Sequence, residues 1–236
     1  YMRLGIFSNQ QKKLTMTLMG GQYFSNEQGF RSISDYNISF GYRPIKSLRI
    51  DLSPGINTYS DDLQYVTQTD YQGGTRYVMA QIDRTTVNMS VRINFNISPD
   101  LTIQYWGQPF VATGKYSEFK HITDSKADEL SNRFNIYSDE QISYNSDWEA
   151  FLVDDNRDGV DDYSFSKPDF NVKEFLSNLV VRWEYRPGST VYLVWSQNRS
   201  GYINNGSFDF SRDFESLFNE KANNIFLLKF SYRIGR

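Results

Sequence analysis

The stretch Val87-Asn88-Met89-Ser90-Val91-Arg92-Ile93-Asn94-Phe95-Asn96-Ile97, closed by Ser98-Pro99-Asp100, alternates apolar and polar residues without a fault. That is the period of a β-strand, whose side chains point to opposite faces. One face is Val, Met, Val, Ile, Phe, Ile. The other is Asn, Ser, Arg, Asn, Asn, which suits a water-filled lumen better than a packed core. The same alternation recurs along much of the chain, so many apolar strand faces need cover.

Composition narrows what that cover is. The chain has 236 residues, 17% aromatic and only 39% hydrophobic, with a mean hydropathy of -0.59. A chain polar on average yet strongly alternating has the signature of a transmembrane β-barrel, where lipid-facing and lumen-facing residues take turns. No run approaches the roughly 20 apolar residues of a membrane helix. No basic block points to nucleic acid, and the net charge of -3 singles out no partner. The absence of cysteine removes disulfides and thiolate metal sites.

Strand and turn signals then lay out about eleven strands on an up-and-down path. Leu48–Leu52, Leu63–Thr69, Arg76–Asp83 and Val87–Ile97 read as separate strands. Short turns are expected at Asn9–Lys13, Arg43–Ser47, Ser98–Asp100 and Arg186–Ser189, where Pro, Gly, Asn and Ser punctuate the chain. The long connections fall at the other end. The longest, 113–170, carries no clean alternation and reads as one extracellular loop region; Gly201 to Lys221 reads as a second loop. Short turns on one side and long loops on the other is how outer-membrane barrels are built. The expected fold is all-β: an antiparallel up-and-down transmembrane β-barrel in a bacterial outer membrane, its C-terminus on the periplasmic side. An odd strand count leaves an unpaired edge, which hydrocarbon does not tolerate. Residues 1–236 are therefore expected to be the C-terminal part of a larger barrel. A soluble sandwich or propeller explains the alternation equally well. It explains less well the aromatics beside the turns, Tyr42, Trp183, Tyr185 and Tyr232, which suit an interfacial girdle.

The hairpin Asn178–Gln197, with Arg182-Trp183-Glu184-Tyr185-Arg186-Pro187-Gly188 at its turn, resembles the C-terminal hairpin of a Bacteroidota outer-membrane family of unknown function. Ile103–Phe110, Gly114–Ser117, Asp162–Phe165 and Pro168–Asn171 are similar to other stretches of it. The resemblance implies a barrel following an N-terminal domain like the family-9 carbohydrate-binding modules, and so a link to carbohydrate handling. That domain is not in this sequence, and the shared motifs are structural.

Two sets of residues are candidates for function. Asp154-x-Asn156-x-Asp158-Gly159-Val160-x-Asp162 has the spacing of a calcium loop. Asp154, Asn156, Asp158, the Val160 carbonyl and Asp162 would surround one ion, since hard Ca²⁺ takes six to eight oxygens. The twelfth position is Phe165 where a bidentate Glu is usual. The competing reading is an acidic turn held by Asx hydrogen bonds. The second set is the lumen face: Arg49, Asp51, Arg92, Asn94, Gln104, Arg182, Glu184 and Lys229, as a selectivity surface or a salt-bridged wall. Tyr105, Trp106, Trp148, Tyr192, Trp195 and Tyr202 are candidate sugar-stacking platforms near the outer end. No catalytic set stands out: His121 is the sole histidine, and it reads as a loop residue. The expected part is a channel or surface scaffold, with lipid, a carbohydrate ligand and other outer-membrane subunits as partners, and calcium as the one cofactor. The alternatives are a glycan-active enzyme anchored by its barrel and a barrel subunit of a larger surface complex.

Overall fold

The computed structural model describes residues 1–27 and 29–234. It is all-β apart from one short helix and one 3-10 turn. The strands are β1 (Met2–Phe7), β2 (Leu14–Ser25), β3 (Arg31–Ile45), β4 (Leu48–Tyr71), β5 (Gly74–Asn96) and β6 (Leu101–Ile122). They continue as β7 (Phe134–Ile136), β8 (Ile142–Asn145), β9 (Ala150–Val153), β10 (Tyr163–Ser166), β11 (Phe170–Arg186), β12 (Ser189–Ile203) and β13 (Asn223–Ser231), with α1 (Phe210–Asn219) between the last two. The main sheet runs β1-β2-β3-β4-β5-β6-β11-β12-β13, every neighbour antiparallel; β7 adds to β6, and β8–β10 form a small sheet of their own. Among the described residues β1 and β13 each pair on one side only, so this chain shows no closed ring.

Nine strands form the meander where the sequence pattern gave eleven. Leu48–Leu52 and Leu63–Thr69 are one strand of 24 residues. Arg76–Asp83 and Val87–Ile97 merge into one of 23. Ser53-Pro54-Gly55 looks like a turn but stays extended, with Pro54 opposite Met89. Small register shifts after Asp61 and Tyr65 scramble the alternation that would have joined the pieces. At about 3.3 Å per residue β4 is roughly 80 Å long. The true turn of this hairpin is Gln72-Gly73, both with positive φ (50° and 75°), the backbone of a type I′ turn.

The region 113–170 is also smaller than the sequence suggested, because β6 runs on to Ile122 and β11 begins at Phe170. What remains, 123–169, is a folded insert. Its small sheet packs against the far ends of β4–β6 through Val78, Ala80, Phe119, Tyr137, Val153, Tyr163 and Phe165, the main buried apolar cluster. Gly201 to Lys221 is not all loop either. Asp209 caps α1 by accepting the Arg212 amide, and Asp213, wholly buried, accepts from Asn171 Nδ2 at 3.0 Å, Arg212 Nε at 2.9 Å and the Asp209 amide at 2.9 Å. The spacing Phe210, Phe214, Leu217, Phe218 after a capping Asp is a helix signature.

Candidate functional site

Register shows how the two faces of the sheet divide. One row of facing residues crosses eight strands as Leu14, Tyr42, Ile50, Ile93, Tyr105, Leu179, Trp195, Phe226. Shifted by one residue, the next row is Thr15, Gly41, Asp51, Arg92, Trp106, Asn178, Ser196, Ile225. The first row lies on an apolar belt, the second on a mostly polar face. The belt is exposed over part of its length, Leu14 at 61%, Trp183 52%, Phe226 69% and Leu228 72% accessible, and half-buried at Ile50, Ile93, Tyr105 and Leu179. It also climbs relative to the hydrogen-bonded register. On β11–β13 it extends toward the short turns, through Val181–Leu193–Leu228 and Trp183–Val191–Phe230. On β1–β3 it extends away from them, through Ile6–Leu18–Ile38 and Leu4–Gly20–Tyr36. A level band crossing tilted strands climbs in this way. Near the Pro187-Gly188 turn Trp183, Tyr185 and Phe230 cluster, with ring centroids 6.0 and 5.4 Å apart.

The belt has an upper border on β11. Beyond Leu179 the same face carries Ser177, Lys173 and Asn171, all buried. There α1 covers it, Lys173 Nζ donating to Ser216 Oγ at 2.7 Å and Phe175 lying 5.3 Å from Phe218.

Arg49, Asp51, Arg92, Asn94, Gln104, Arg182, Glu184 and Lys229 all share the polar face by register. This face is the concave one, since the hollows along Arg49–Asn94–Asn96, Arg92–Trp106–Asn178 and Arg31–Asp61 open on it. Part of it is a salt-bridged wall: Arg49 Nε lies 2.7 Å from Asp51, and Arg182 Nη2 2.6 Å from Glu184. Glu184 also accepts the Gly188 amide at 2.9 Å, which ties the wall to the short turn. Exposed partial pairs of this kind contribute little stability. Arg92, Asn94, Gln104 and Trp106 are not in that wall: among the described residues their side chains make no hydrogen bond or ion pair. They surround a hollow of about 440 Å³ with Asn178 and Val180.

At the far end the insert folds onto this same concave face. Glu118, with φ of 49°, forms a bulge. Ser117 faces Gln81 and Lys120 faces Met79 across it. Phe119 and His121 are thereby turned inward, Phe119 against Phe151 (centroids 4.5 Å apart) and Phe165 (5.3 Å). His121 is no loop residue: it is a buried strand residue opposite Val78. Its ring lies 5.1 Å from Tyr137, and its Nδ1, 3.8 Å from the Asp155 carboxylate, has no hydrogen-bond partner. The Asp155 carboxylate is held by the Arg76 guanidinium, and the hydroxyls of Tyr137 and Tyr163 meet at 2.6 Å. Burial pushes the Tyr163 hydroxyl up to about 12, against the opposing pull of its hydrogen bond with Tyr137 and with help from the Asp155 carboxylate. These contacts pin the insert to β5 and β6.

His121 gives the insert a pH dependence. Burial first, and then the Arg76 guanidinium, hold its imidazole below the ordinary value of 6.5, against the opposing pull of Asp155. The released state keeps the ordinary value, so it alone takes up a proton as pH falls through 6.5. Stability is therefore full above that pH and lost below it. The protection factors of the β8–β10 amides, corrected for the intrinsic pH dependence of exchange, should fall between pH 7 and pH 5. His121→Gln should remove the dependence; an unchanged slope in that variant would refute the assignment.

The Asp154–Asp162 loop is organised by its own amides. Asp154 accepts the amides of Asp158 (3.1 Å) and Gly159 (2.7 Å). Asn156 accepts Asp158 (2.9 Å), Asp158 accepts Val160 (2.9 Å), and Asp162 accepts Asp155 (2.8 Å). Each candidate side chain spends oxygen lone pairs inside the loop, in the Asx pattern. Among the described residues no group of three or more His, Cys, Asp or Glu is arranged to hold a metal ion.

Fold and site together define an antiparallel β-meander with a partly exposed apolar belt on one side and a polar concavity on the other. The chain belongs to the family described as domain of unknown function DUF5916, whose model matches residues 1–235. No curated protein and no solved structure matches it significantly.

Proposed function

We propose that this chain forms a stretch of the wall of a transmembrane β-barrel in a bacterial outer membrane. The observation that carries the reading is the belt, an apolar band that crosses all nine strands at a slant, exposed at its ends and half-exposed in the middle, while the opposite face is mostly polar. Water would penalise such a band, whereas lipid covers it. On β5 it runs from Val87 to Phe95, matching the 9–11 residues a tilted strand needs to cross the hydrocarbon. The short turns and the C-terminus then lie on the periplasmic side, and the insert and α1 lie outside. Further strands, or another chain, pair with the open edges of β1 and β13, because unpaired backbone groups are costly in lipid.

The polar concavity lines the lumen, and the insert packed on it narrows the outer end. The barrel is thus a constricted channel or, if the insert closes it, a surface scaffold. Planar-bilayer conductance of the full-length protein, purified from outer membranes, tests this. A steady conductance is expected, larger when residues 138–166 are replaced by a short Gly/Ser linker. A folded, heat-modifiable protein that conducts in neither form would assign it the scaffold's part.

A further inference from the structure

We propose that the hollow around Trp106 is a saccharide-binding subsite on the lumen wall; the idea rests on the barrel reading above. Arg92, Trp106 and Asn178 form one row across β5, β6 and β11, and Asn94, Gln104 and Val180 form the next. Adjacent strands lie about 4.8 Å apart and rows on one face about 6.6 Å, so the six side chains cover roughly 10 by 7 Å. That is the footprint of one or two pyranose rings. The indole at the centre offers a flat apolar surface to the C–H face of a sugar and an N–H at its edge. The guanidinium and amides around it offer donors and acceptors spaced for a rim of hydroxyls.

The state of these groups selects the ligand class. Among the described residues none of the side chains of Arg92, Asn94, Gln104 or Trp106 is bonded, although Arg49 and Asp51, on the same face, are paired with each other at 2.7 Å. Among the described residues Asn178 accepts one long contact, from Ser196 at 3.4 Å, and its amide N–H has no partner. An apolar guest would strand a guanidinium and three amides, each at the cost of an unpaired polar group. A compact anion would meet one cation, whose row neighbour is the Asp51 carboxylate. A neutral hydroxyl-rich ring satisfies the set and also covers the indole. Pockets of this kind combine an aromatic surface with a few convergent polar groups.

The test uses the full-length protein in detergent, titrated calorimetrically with maltohexaose, cellohexaose, laminarihexaose and chitohexaose. At least one should bind, and Trp106→Leu, which keeps an apolar residue in the strand, should weaken its Kd at least tenfold. Gln104→Ala should weaken it about fivefold. Lys126→Ala, at an exposed position of the insert outside the hollow, should leave it unchanged. Heat-modifiability on gels checks that each variant is folded, and Trp106→Phe replaces any that is not, with a smaller loss expected. Binding of none of the four sugars, or binding untouched at Trp106, overturns the subsite. Insertion into bilayers is scored separately. A protein that inserts but binds no sugar refutes the subsite alone. One that binds at Trp106 yet stays out of lipid refutes the barrel.

Discussion

Ile93→Arg should abolish the membrane-folded form, whereas Asn94→Arg, one residue along β5, should leave it intact. Ile93 stands in the middle of the belt row, between Ile50 and Tyr105. A charge on the lipid face of a barrel costs about 2–4 kcal/mol at the bilayer midplane. That is a large share of the stability a domain has in reserve. Asn94 lies on the concave face beside Gln104, where an added cation stays in water. The measurement is the fraction of heat-modifiable, protease-resistant protein recovered from outer membranes. Equal recovery of both variants would mean that the belt does not face lipid. Equal loss would mean that the two faces of β5 are both packed, as in a soluble sandwich.

Phe119→Ala should release the insert. Phe119 of β6 packs its ring against both Phe151 and Phe165, and it lies in the small cluster that holds β8–β10. Emptying such a site costs about 3–5 kcal/mol, and few other buried apolar residues share the load. Limited proteolysis should then cut between 138 and 166 while the meander β1–β6 keeps its amide protection. If the insert narrows the lumen, conductance should rise with it. An insert as protease-resistant as before would show that the Arg76–Asp155 pair and the Tyr137 amide bond to the Phe119 carbonyl hold it without the aromatic cluster.

The division of the sheet into two faces was legible because it rests on a period of two. Residues from Arg49 to Lys229 fell on the polar face, as the pattern of Val87–Ile97 and its counterparts requires. Boundaries were less legible. Ser53-Pro54-Gly55 carries turn residues, yet the strand runs through it, and the shifts after Asp61 and Tyr65 change phase without a sequence mark. The bulge at Glu118 is of the same kind: a non-glycine residue takes positive φ and re-aims Phe119 and His121. His121 therefore looked like a loop residue although it is buried. The insert was opaque because its strands have four residues or fewer, too short to show a period. Helix α1 reads as loop in the sequence because Asn and Ser surround it, although the Asp209 cap and the aromatic spacing after it carry the signal.

The most direct test of the account is a nitroxide scan along β5. Single cysteines, straightforward in a chain that has none, would be placed at each position from Val87 to Phe95 and labelled in the reconstituted full-length protein. Collision with oxygen, which concentrates in lipid, and with a polar nickel complex, which stays in water, would be recorded for each. The account predicts a strict alternation of period two, oxygen high at Val87, Met89, Val91, Ile93 and Phe95 and nickel high at Asn88, Ser90, Arg92 and Asn94. Nickel access on both faces, or oxygen and nickel rising in phase, would contradict it.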